Sequence, residues 1–121
     1  MQLKSIIISG LVMLALDFVY LSTFSGFFNN LVASIQVSKI KFNAVGAIIC
    51  YILLIAGLNY FIIDKKRPLS EAFMLGIVIY GVYESTNYAI FNKWTAKAMA
   101  LDTLWGGILF TLTTKLTYML R

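Results

Sequence analysis

Four long apolar runs divide the chain, and charge is largely confined to the stretches between them. Ile6 to about Leu21 is apolar apart from Ser9 and Asp17, with Lys4 before it. Phe42 to Ile63 carries no charge, and its Gly46 and Gly57 are expected to let a neighbouring helix approach. Asp64-Lys65-Lys66-Arg67-Pro68 ends this second run, because proline cannot extend the preceding helix and the charges belong to water and headgroups. A third run opens at Ser70 and reaches about Phe91, with Ser70 expected to cap it and Glu71 at the positive end of its dipole. After a short loop, Asn92 to Lys97, the fourth runs from about Ala98 to Leu116. Each run approaches the ~20 residues that a helix needs to cross a hydrocarbon core. The pattern predicts an all-α integral membrane bundle of four transmembrane helices, a single domain over residues 1–121 with spans at about 5–23, 42–63, 71–91 and 98–117.

One segment has a different period. Phe24, Phe27, Phe28, Leu31, Val32 and Ile35 recur at helical spacing, while Ser25, Asn29, Asn30 and Ser34 fill the other face, so this is an amphipathic helix. It either continues the first span or lies along the membrane surface, as a connector or as a lid over a polar cavity, with Lys39 and Lys41 at the headgroups. The basic start and the apolar core ending near Ala15 also resemble a secretory leader. A retained first helix is preferred, since Asp17 finds polar partners at the same depth in later runs.

Composition agrees with the pattern. The chain is 60% hydrophobic and 12% charged, with a mean hydropathy of +0.85, too apolar for a surface that meets water. Its net charge of +5 lies in the connections and at the ends, which suits an anionic leaflet; no soluble basic face exists to hold nucleic acid. Placing both termini in the cytosol puts Lys4, Lys65, Lys66, Arg67, Lys115 and Arg121 inside against Lys39, Lys41, Lys93 and Lys97 outside. The single cysteine, Cys50, excludes an intramolecular disulfide, and the absence of histidine removes imidazole-based nucleophiles, zinc sites and proton shuttles. No cofactor or metal is expected.

The candidate chemistry lies in three acids. A charged side chain near the bilayer centre costs about 2.5–3.5 kcal/mol, so such residues face protein or water. Asp17 lies past the middle of the first run, Glu84 in the outward half of the third, and Asp102 one turn inside the start of the fourth. With alternating helix directions all three fall in the same half of the bilayer. Tyr80, Glu84, Asn87 and Tyr88 share a stripe, as do Asp17 with Tyr20 and Asp102 with Trp105. Gly81, Ser85 and Ala89 form a small-residue track beside the first stripe, which points to the third helix as the central one. Three carboxylates in low dielectric cannot all stay ionised without compensation. Protons, a bound cation, the donors of Tyr20, Tyr80, Tyr83, Thr86 and Asn87, or Lys93 and Lys97 reaching down from the loop are the candidates. The structural alternative is that the acids are protonated and only hydrogen-bond helix to helix.

LALDFVYL in the first run, VYESTNYA in the third, the following Trp94 and ALDTLWGGIL in the fourth resemble domain-of-unknown-function family 2177, in order and spacing across nearly the whole chain. The first family motif usually has Trp where this chain has Tyr20, and the third-span acid is usually Asp where this chain has Glu84. The positions matching its motifs are Asp17, Tyr83, Glu84, Thr86, Asn87, Trp94, Asp102, Trp105 and Gly106. The resemblance implies four transmembrane helices and carries over no activity.

Three function classes follow. The leading expectation is a pocket formed by Asp17, Tyr20, Tyr80, Tyr83, Glu84, Thr86, Asn87, Asp102 and Trp105 that binds a proton, cation or small polar ligand, as in coupled transport; four helices being few for alternating access, a homo-oligomer is expected. A membrane enzyme acting on a lipid or isoprenoid, with one carboxyl as acid and another as base, is the second. A structural or assembly protein of a cellular or viral membrane is the third.

Overall fold

The computed structural model describes residues 2–36 and 43–121, and within them every regular element is helical. Lys39, Lys41 and the start of the second predicted span at Phe42 lie outside the described residues. Helix α1, Leu3–Gln36, is unbroken over 34 residues, so the amphipathic segment continues the first run. Helix α2, Ala44–Leu58, is capped by Asn43, whose side chain accepts from the Gly46 amide at 3.1 Å. It passes into a π-helical turn, Asn59–Ile63, and then a loop that Pro68 closes. Helix α3 is Leu69–Ile90, and α4, Ala96–Leu120, is capped by the Thr95 hydroxyl, which accepts from the Ala98 amide at 3.0 Å. Ser70 is not the cap of α3: Pro68 occupies that position, and Ser70 lies inside the first turn, where Glu71 pairs with Arg67 at 2.7 Å.

The α3–α4 pair is the most closely packed. A Cβ at Gly76 would collide with the Gly106 carbonyl, one at Gly106 would collide with the Tyr80 ring, and one at Gly107 would come within 2.7 Å of Phe73. Backbones meet there because side chains are missing. The glycines of the second run have no such role: Gly57 has nothing within 4 Å of its Cβ position, and Gly46 only its own Asn43 cap. Helix α4 packs against α1, α3 and the π turn, so it, rather than α3, is the central helix. Polar stripes mark which face turns inward; they do not mark which helix has the most neighbours.

The exterior is apolar and the interior is stratified. Phe18 is 71% exposed beside Asp17 at 6%, and Val82 is 64% exposed two residues from Glu84 at 1%. Along α1 the buried positions Ser5, Ser9, Met13, Asp17 and Tyr20 follow one helical stripe. A middle layer of Met13, Leu58, Leu109 and Phe110 is fully buried. On one side lie the acids; on the other lie the buried Ser5, Ser9, Asn59, Thr113, Thr114 and Thr117.

Candidate functional site

The acid layer is assembled from all four helices and the loop before α4. Asp17 of α1 accepts from the Trp105 indole N–H at 2.9 Å and from the Tyr51 hydroxyl of α2. Tyr20, one turn further along α1, stacks on Trp105 with ring centroids 4.6 Å apart and donates to Asp102 Oδ1 at 3.1 Å. The stack follows from spacing: Tyr20 lies three residues after Asp17, and Trp105 three after Asp102, on facing antiparallel helices. Asp102 also faces Glu84 across the contact between α3 and α4. Glu84, buried in α3, accepts from the Trp94 indole N–H at 2.7 Å. One continuous path of contacts therefore runs from Tyr51 through Asp17, Trp105, Tyr20, Asp102 and Glu84 to Trp94.

Among the described residues the donors to these carboxyls are neutral, the indoles of Trp94 and Trp105 and the phenols of Tyr20 and Tyr51. The two lysines that the loop offers go elsewhere. Lys93 Nζ donates to the Ser34 carbonyl at 3.0 Å, and Lys97 Nζ, in the first turn of α4, lies 5.6 Å from the Phe27 ring, so the two tie the loop and the start of α4 to the far end of α1. Among the described residues, no group of three or more Cys, Asp or Glu is placed to hold a metal ion. Two carboxyl groups in mutual contact away from cations can form a stable hydrogen bond only if a proton lies between them.

The remaining candidates divide by helical angle. Tyr80 packs over Gly106, meets Phe110 edge-on at 6.3 Å, and lines a lateral cavity of about 430 Å³ with Cys50, Leu54, Ile79, Tyr83 and Asp102. Tyr83 is 60% exposed, on the outer rim of that cavity. Asn87 is buried one turn beyond Glu84. Thr86 is not brought to the carboxyls: two residues past Glu84 it points to the opposite side of α3, where its hydroxyl donates to the Val82 carbonyl at 2.8 Å. Tyr88, on the predicted stripe, is 49% exposed. Two donors escaped the sequence reading. Tyr51 lies in the charge-free second run, and the signal that could have found it is a phenol at the depth of Asp17, since a hydroxyl in an apolar layer needs an acceptor. Trp94 matches a family motif, yet its aromatic-and-lysine surroundings read as an interface rather than as a side chain folded back over Glu84.

These features define an all-helical membrane protein with a polar interior. Two of its helices, over Leu3–Ser34 and Ala44–Ile63, are long and apolar enough to cross a membrane. The family model described as Predicted membrane protein (DUF2177) matches residues 2–119, and the chain belongs to that family. No curated protein and no solved structure matches it.

Proposed function

We propose that the four helices each cross the bilayer, with both termini in the cytosol, and that the Glu84–Asp102 pair is a proton-binding site serving a transport-like exchange with a small polar ligand. The observation that carries this reading is the carboxyl-to-carboxyl contact inside the bundle, surrounded by neutral donors. A structural cross-link would be served by an amide or hydroxyl at lower desolvation cost, whereas a carboxyl pair can take up and release a proton. The lateral cavity supplies access, because Asp102 lines its inner part and Tyr83 its rim. The apolar character of that cavity favours one second reading, an enzyme acting on a lipid or isoprenoid that enters from the side.

The test is proton flux in proteoliposomes carrying the full chain and an entrapped pH dye. Flux across an imposed pH gradient is expected above that of empty liposomes and is expected to be lost in Glu84→Gln and in Asp102→Asn. Equal flux in wild type and both variants would reject the proton reading. An altered lipid profile on expression, abolished by the same variants, would favour the enzyme instead.

A further inference from the structure

At the end of the bundle opposite the carboxyls, Gln2, Lys4, Asp64, Lys66 and Arg121 line a cleft of about 690 Å³. The first turn of α1, the loop after the π turn and the end of α4 contribute its walls. Its lining side chains include three cations and one carboxylate. Its two best-defined cations are held by the fold. Arg121 lies over the Tyr118 ring at 4.8 Å, and its Nη1 donates to the Ser5 hydroxyl and the Ile63 carbonyl, both at 3.4 Å. Tyr118 in turn donates to the Arg67 carbonyl at 2.8 Å, tying that ring to the loop.

The loop itself sorts three successive cations. Lys65 lies over Tyr60 at 4.8 Å, and Arg67 pairs with Glu71 at 2.7 Å. Lys66, between them, lines the cleft, and it does so from a left-handed backbone at φ 52°, a conformation that non-glycine residues adopt rarely and that concentrates at functional sites. Its amide donates to the Ile63 carbonyl at 3.1 Å, and the Arg67 amide to the Ile62 carbonyl at 2.9 Å, so the turn is fixed before any ligand arrives.

We propose that this cleft binds a phosphate group, with the Arg121 guanidinium and the Lys4 and Lys66 ammonium groups on its oxygens. The source is either the phosphodiester of an anionic lipid at the membrane surface or free inorganic phosphate. This site goes beyond the carboxyl pair and does not depend on it.

Native mass spectrometry and thermal unfolding of the full chain decide the matter, with phosphatidylglycerol, phosphatidylcholine, inorganic phosphate, or chloride at matched ionic strength. Preferential retention of phosphatidylglycerol is the expected result, weakened about five-fold for each cation removed in Lys66→Gln and Arg121→Gln and unchanged in Lys65→Gln. Lys66→Gly, which suits the backbone and so preserves the fold, is expected to lose the same selectivity. Protection by phosphate over chloride, lost in the same variants, would assign the site to free phosphate. Absence of any preference for phosphatidylglycerol over phosphatidylcholine together with none for inorganic phosphate over chloride, or equal losses in Lys65→Gln and Lys66→Gln, would overturn the proposal.

Discussion

The polar layer that holds the acids, the outer one, and the layer of Ser5, Ser9, Asn59, Thr113, Thr114 and Thr117 across Met13, Leu58, Leu109 and Phe110, the inner one, satisfy their buried groups in different ways. In the outer layer each of Asp17, Glu84 and Asp102 receives an aromatic donor from another segment, so its contacts tie together parts of the chain distant in sequence. In the inner layer the Thr117 hydroxyl turns back on the Thr113 carbonyl of its own helix, and among the described residues Asn59 Oδ1, Thr113 Oγ1 and Thr114 Oγ1 have no partner, against Thr103 Oγ1 alone beside Asp102 in the outer layer. Asn59 Nδ2, donating to Ser9 Oγ at 2.9 Å, and Arg121 Nη1, donating to Ser5 Oγ at 3.4 Å, are the cross-helix exceptions. The difference teaches that burial of polar groups is not one phenomenon. The outer layer is a connected network, whose members depend on one another; the inner layer is a set of nearly independent hydroxyls.

That contrast can be broken or sharpened by substitution, measured as unfolding free energy in detergent micelles. Asp17→Leu strands the Trp105 N–H and the Tyr51 hydroxyl together and is expected to destabilise by about 3 kcal/mol, the largest effect of the series. Trp94→Phe keeps the ring and removes one donor to Glu84, with an expected loss of about 2 kcal/mol. Tyr51→Phe should lose about 1 kcal/mol, since Asp17 keeps its contact with Trp105. Thr113→Val and Thr114→Val are expected to lie within about 0.5 kcal/mol of wild type or to stabilise, because each removes an acceptor that has no partner to lose. If the threonine variants proved as damaging as Tyr51→Phe, the two layers would not differ in the way described. If Asp17→Leu and Tyr51→Phe together lost only the sum of their separate effects, the outer layer would not be a network.

The sequence carried much of this, unevenly. Helix alternation was enough to put Asp17, Glu84 and Asp102 at one depth, and the three-residue spacing of Asp17 to Tyr20 and Asp102 to Trp105 anticipated side chains on one face. Angular position was harder to read. Tyr83 and Thr86 share a short motif with Glu84, but a helix turns about 100° per residue, so neighbours in sequence lie on the rim or the far side. Tyr51 is hidden in a run without charge, where only its depth marks it as a partner for Asp17. The central place of α4 was hidden for a related reason. Gly106, Gly107 and Thr113 carry little hydrophobic signal, and the close approach they permit depends on Gly76 and Tyr80 in another helix. Nothing local marks the left-handed Lys66, since glycine is the residue that announces such a turn.

Infrared difference spectroscopy across a pH titration of the full chain in lipid tests the central claim most directly. A protonated-carboxyl carbonyl band that is lost in Glu84→Gln, altered in Asp102→Asn, and shifted in Trp94→Phe is the result expected if one proton is shared by the pair. A titrating carboxyl band identical in wild type and all three variants, or no such band at any pH, would contradict it.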